Sequence, residues 1–427
     1  MDMKVKRIFV STGLGVLIIL AFSFPVLSRA GEVTFPTFSY NEQELAKVRE
    51  WEKTWVGKKV TTETIDQVKD FLSEPVYKAM KNPKTFGTDS LWFEVVPYRP
   101  YTASKGMTEQ TKKCAPDSKL DANEALVNFG KVSGYPFPQP KTGIEMAWNF
   151  DGNTRGDTHH VLNEGEVVDC KTRLERHAGH LRWDVYWASR TDLPPVPAVP
   201  ADQNPRGIFR SYFQKHIAPV DFVDTTMLEI RYLDLTRDED LWVYTAMFRR
   251  IRRYSTSQRS DTIDGTDMIY DDQDGWYTSP TWNTYKYIGR ADLLVGRHVD
   301  NKKAERKTGQ GFWNGIQRER ANNWAVEVVS KDKNYIYGKQ IWYLDPETWQ
   351  MNFKVMYNRQ GELWKTYEMF YDEYPTALGQ KAAYMSVEHT VDFIRSHGSP
   401  GKYTMKGLSL DIPLTLFQTG SLKVKTY

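Results

Sequence analysis

Two histidine-bearing clusters and one acidic run are the places in this chain where side chains could act together. His159 and His160 form a doublet, and Cys170, His177 and His180 follow within a short stretch. Zinc takes three or four converging nitrogen or sulfur donors, and one Cys with two His could supply three. The spacing matches no strong zinc template, so ordinary surface or hydrogen-bonded histidines are expected and no metal site is assigned. The acidic run Asp264, Asp267, Asp271, Asp272 and Asp274 has the carboxylate density that hard cations favour. It lacks the EF-hand order, because Tyr270 stands where the first ligand should be. The expected role is therefore a sheet-edge turn with solvated carboxylates. Ion pairs to Arg249, Arg250, Arg252 and Arg253 across neighbouring strands would hold it. No G-x-S-x-G, H-E-x-x-H, P-loop or dinucleotide fingerprint occurs. No catalytic residue and no cofactor are assigned, and the chain reads as a non-enzyme.

The arginines have a second reading. Guanidinium forks match phosphate and carboxylate, so Arg250 and Arg252 are candidates for holding an anionic lipid head group. The strand that leads into them alternates Trp242, Tyr244, Ala246 and Phe248 against Val243, Thr245, Met247 and Ile251. Neither face is polar, which predicts apolar contacts on both sides. Together with Trp342, Phe353, Met356, Trp364 and Phe370 on later strands, Trp242, Tyr244 and Phe248 are candidates for lining an apolar ligand cavity. The same alternation also produces plain core, and sequence does not separate the two.

The elements that must position these residues are mostly strands. Residues 323–330, 335–344, 351–358, 362–374 and 382–394 alternate at period two, with a turn at Asn358, Arg359, Gln360 and Gly361. Short turns between adjacent strands predict an antiparallel meander. Two helices are expected near the start, at 41–56 with Asn41 and Glu44 as a capping box and at 62–72 with Pro75 stopping it. A short helix follows at 142–149. Two proline clusters, 135–140 and 193–205, are extended, and the second is the best candidate for an internal boundary.

The ends and the composition fix the setting. Lys4, Lys6 and Arg7 precede an apolar run over 8–27, and Ser28 and Ala30 place small residues where a signal peptidase cuts. A secretory signal over 1–30 is predicted, with an uncleaved anchor as the alternative. Its loss removes four basic residues and one acidic residue from totals of 57 and 54, which leaves the mature chain neutral. A neutral chain gives no reason to expect a nucleic-acid partner. Cys114 and Cys170 could pair in an oxidising compartment. Aromatic residues make up 14% of the chain, which suits wide sheets and pocket mouths.

Residues 134–149 (GYPFPQPKTGIEMAWN), the 242–254 strand, the 265–276 segment and the TTETIDQVKDFLSEPVYKAM stretch resemble domain-of-unknown-function family 1329. Its members are often labelled outer-membrane lipoprotein-sorting proteins. The IWYLDPETWQ and YNRQGELWK segments are similar to the wider LolA/LolB class. The resemblance implies an α+β, β-rich fold: a large curved antiparallel sheet, an incomplete β-barrel, with helices covering its concave face. It implies residues 31–205 as an N-terminal helical and extended region packed on the sheet, and 206–427 as the half-barrel. One continuous domain over 31–427 is the alternative.

The resemblance further implies the periplasm of a Gram-negative bacterium, peripheral to the outer membrane or free of it. Partners would be a lipid or other hydrophobic ligand, with an exporter of the resistance-nodulation-division type or an outer-membrane protein. The function expected is a non-catalytic carrier for lipids or other hydrophobic molecules. A structural adaptor of an envelope complex is the alternative, and an envelope lipid hydrolase comes last. The chain is about twice as long as a simple carrier, so its N-terminal half stands outside that analogy.

Overall fold

A computed structural model describes residues 37–152, 155–255 and 258–423. The expected signal peptide lies outside these residues. The described residues form one compact unit. Helix α1 (Glu42–Trp55) starts on the expected capping box, with Asn41 accepting from the Glu44 amide and Glu44 accepting from the Asn41 amide. Strand β1 (Lys59–Thr61) follows. The second expected helix is a seven-residue 3₁₀ helix, Ile65–Phe71, which buries Ile65 and Val68. Pro75 does not merely stop it. It opens helix α2 (Glu74–Lys81) from the first turn, where its missing N–H costs nothing. Strand β2 (Trp92–Val95) and helix α3 (Lys105–Cys114) come next. Helix α4 (Gly143–Asp151), capped by Thr142 and Glu145, is buried on nearly every side.

The remaining strands form two meanders. The first runs through β3 (Thr158–Asp169), β4 (Leu174–Tyr186), β5 (Ile208–Ala218), β6 (Thr226–Tyr232), β7 (Asp240–Thr245) and β8 (Arg250–Tyr254). The second runs through β9 (Asn283–Val295), β10 (Ile316–Ser330), β11 (Lys339–Leu344), β12 (Met351–Tyr357), β13 (Leu363–Pro375), β14 (Lys381–Asp392) and β15 (His397–Leu408). Antiparallel pairing of β15 with β3 joins the two into one large, open, curved sheet. β2 adds to the start of β10 in parallel, and β1 pairs with β2. β4 and β5 are hydrogen-bonded neighbours, so the sheet runs straight through the proline-rich stretch taken as a boundary.

Both faces of the sheet are covered. On the inner face, α4 and the connection from β8 to β9 pack on Trp342, Met356, Tyr367 and Tyr403. On the opposite face of the second meander, α2 and the 3₁₀ helix bury Phe86, Phe93, Phe312 and Val391. The opposite face of the first meander packs Phe213, Leu228 and Ile230 against Ile412, Phe417 and Leu422 of the C-terminal segment. No helix of the described residues is long and apolar enough to cross a membrane.

Candidate functional site

The inner face of the first meander is polar, which is unusual for a covered sheet face. Arg182 and Asp184 on β4, Arg210, Gln214 and His216 on β5, and Glu229 and Arg231 on β6 recur at period two and are all buried. Buried charges persist only where paired; Arg231 pairs with Asp151 of α4, Asp184 with Arg182, and further partners come from the crossing segment 258–282. This is the acidic run, and its expected role is overturned. Asp267, Asp271, Asp272 and Asp274 are buried against the sheet, not solvated at its edge. Nor do they pair with Arg249, Arg250, Arg252 and Arg253, all of which are exposed.

Each carboxylate has its own socket. Asp274 takes a bidentate pair from Arg182 and a second guanidinium from Arg155 at 3.4 Å. Burial alone would raise its carboxyl, yet the two arginines hold it well below the usual range. Asp272 meets the Lys354 ammonium at 2.5 Å and the Tyr337 hydroxyl at 2.6 Å. Asp271 accepts from Tyr335 at 2.8 Å and Arg259 at 3.1 Å. Asp267 faces His397 at 2.7 Å and accepts from Ser399 at 2.9 Å. The segment is thus a strap riveted across the sheet by charge.

Between the strap and the sheet lies an open cleft with about 720 Å³ of free space, part of it continuous with solvent. Its walls are β3 to β5 and β13 to β15 on one side and residues 263–274 on the other. Gly165 and Gly401 face each other across the seam of the two meanders and leave the floor clear of side chains. Ile263, Met268, Ala178, Tyr212, Tyr367 and Tyr403 supply apolar surface, and Asn163, Arg182 and Glu388 supply polar groups. Glu388 accepts from Tyr367, from Tyr403 at 2.8 Å and from Asn163 at 3.3 Å. Burial pushes its carboxyl up. Ser399, His397 and Asp267 do not form a hydrolytic triad, because serine and histidine both bind the aspartate. That wiring gives the serine no base.

The histidines separate as the strands dictate. His159 is buried beside Asp184 at 3.2 Å, and His160 stacks on Trp183. His177 is exposed and Cys170 is buried at the end of β3, so Cys170, His177 and His180 do not converge. His180 instead lies directly across the β4/β5 ladder from His216, with the Asp264 carboxylate against both. The sequence reading missed His216 because nothing in local spacing links it to His180. Cys114 and Cys170 are free thiols, so the pairing left open in the sequence is not made.

The eight aromatic and Met candidates are spread over the molecule. Trp342 and Met356 are buried under the strap, with Trp364 packed beside them. Trp242 and Tyr244 pack with the C-terminal segment. Phe353 stacks on Tyr343 in a separate cluster. Phe370 packs with Val299 and Val387, and Phe248 is 64% exposed. None of them lines the cleft, and neither do Arg250 and Arg252.

A single open, mostly antiparallel sheet with a strap-covered polar face defines the class of architecture. The chain belongs to the DUF1329 family of proteins of unknown function, whose model matches residues 59–418. It is 24% identical over 366 residues to the uncharacterized protein PA3922 of Pseudomonas aeruginosa, covering 82% of this chain and 75% of that relative. A DUF1329 family protein from Desulfovibrio piger aligns in structure with a TM-score of 0.47 at 13% identity. That alignment covers 66% of this chain and 97% of that one. A LolA superfamily protein of Nitrosomonas europaea aligns with a TM-score of 0.41 at 13% identity, covering 66% of this chain and all of that one.

Proposed function

We propose that this protein is a non-catalytic carrier for an amphipathic, lipid-like molecule in the periplasm. The observation that carries this reading is the cleft between strap and sheet. It combines apolar walls with a few placed polar groups, the make-up typical of small-molecule sites. An acyl segment would lie along Ile263, Met268 and the tyrosine rings, gaining about 0.8 kcal/mol per buried methylene. Its polar end would meet Asn163, Glu388 and Arg182. The candidates Trp342, Met356 and Trp364 lie beneath the strap and would join the cavity only if the strap lifts.

The test is to extract the purified mature chain with organic solvent and analyse the extract by mass spectrometry. Loading with a fluorescent fatty acid follows, on the wild type and on Ala178→Trp. A stoichiometric apolar compound, and uptake lost in the variant, support the carrier. An empty protein that takes up no probe refutes it.

A second reading, an adaptor of an envelope assembly, draws on the tip of the β7–β8 hairpin. Met247 and Phe248 are 68% and 64% exposed there, beside Arg249 and Arg250. Arg250 and Arg252 would then contact an anionic surface, not a ligand in the cleft.

A further inference from the structure

We propose that His180, His216 and Asp264 form a binding site for a divalent first-row transition ion that latches the strap to the sheet. Their three ligand atoms lie within 4.8 Å of one another. His216 Nε2 is 2.8 Å and His180 Nε2 is 3.4 Å from the same Asp264 oxygen. Donors around a tetrahedral ion with bonds of ~2 Å sit roughly 3.3 Å apart, so small shifts would seat one.

Three further observations point to a ligand. His216 Nδ1 donates to the Thr225 carbonyl at 3.0 Å, which leaves the lone pair of a neutral ring on Nε2, facing Asp264. That is the outer hydrogen bond typical of metal-bound histidine. His180 Nε2 is buried, and its 3.4 Å contact with the Asp264 carboxylate falls short of good hydrogen-bond geometry. The backbone also commits itself to this geometry. A β-bulge between Gly179 and His180 aims the ring, and Asp264 takes the left-handed φ of +49°.

The local charge is compatible. Arg182, two residues from His180, has its charge taken by Asp184 and Asp274. Arg176 donates to the Asp264 carbonyl, not to the carboxylate. Two imidazoles and one carboxylate suit zinc or ferrous iron. His180 lines the cleft, so an open coordination position would face it.

The experiment uses the untagged mature chain, stripped with chelator and titrated with Zn²⁺, with Co²⁺, and anaerobically with Fe²⁺. The proposal expects one equivalent bound and a visible Co²⁺ spectrum of low coordination number. It also expects slower amide exchange over 264–276 on loading. Asp264→Asn and His216→Ala should each weaken binding about tenfold or more, while His177→Ala, on the exposed side of the same strand, leaves it unchanged. Wild-type protein that retains no ion and binds none below ~100 µM overturns the site. So does equal binding by Asp264→Asn and His177→Ala. If a variant fails to fold, the wild-type exchange data with and without metal still decide. None of these readouts involves a lipid.

Discussion

Asp274 shows how much of this molecule rests on single buried charges. Its replacement by Asn would leave Arg155 without an anionic partner and Arg182 with Asp184 alone. The expected loss is about 3–5 kcal/mol, read as a fall in the urea midpoint. The exposed Arg253 pair with Asp240 is the contrast, because Arg253→Gln should cost under about 1 kcal/mol. Two buried groups give opposite pH signatures. Burial pushes His159 down to about 4 from 6.5, so its contribution is complete above pH 6.5 and is lost as pH falls through 4. Burial, reinforced by Glu239, pushes Glu229 up to about 8 from 4.5. Its contribution is complete below pH 4.5 and is lost as pH rises through 8. Glu229→Gln should therefore raise the urea midpoint at pH 8 while changing it little at pH 5. An equal effect at both values would refute the assignment. Asp274, His159 and Arg253 stood out in the sequence by residue type, but their partners did not, since a carboxylate destined for an arginine 92 residues away looks the same as a solvated one.

At the scale of elements, what was legible followed the usual pattern of apolar alternation. Strands β10 to β14 of the second meander, the Asn358–Gly361 turn and the Asn41 capping box were readable, because the strands' outer and inner faces differ in polarity and the cap is local. β3 and β4 were not, and neither was helix α2. His180, Arg182 and Asp184 alternate correctly but with charge pointing inward, so the pattern reads as loop when only apolar faces are counted. The strap is likewise polar because its core is electrostatic. Its amides over 264–276 should resist hydrogen exchange as well as the sheet does, and exchange as fast as an open loop would contradict the sockets described. The β7–β8 hairpin should behave in the opposite way. Phe248→Ser is expected to shift stability by less than about 0.5 kcal/mol, whereas Trp342→Ala, under the strap, should cost about 3–5 kcal/mol by calorimetry.

For the whole molecule, the large curved sheet was implied by the family resemblance and is what the structure shows, while the place of the cleft was not legible, because it depends on pairing between distant strands. The cleft sits at the seam of the two meanders, floored by Gly165 and Gly401. Bulk placed there should act on ligand uptake and spare the fold. Ala178→Trp is expected to retain the wild-type unfolding midpoint within about 1 kcal/mol while losing uptake, and a variant that unfolds would place Ala178 in the core instead. The seam also has a temporal meaning. β3 is made early, yet the strand that closes its free edge is the last of the sheet, Asp169 meeting His397. A chain emerging from its N-terminus must carry an unsatisfied edge through the synthesis of β4 to β14. Open edges are where chains pair with the wrong partner. The growing polypeptide would thus be most prone to aggregate just before completion, and a holding chaperone that masks one edge strand would be of most use over that interval.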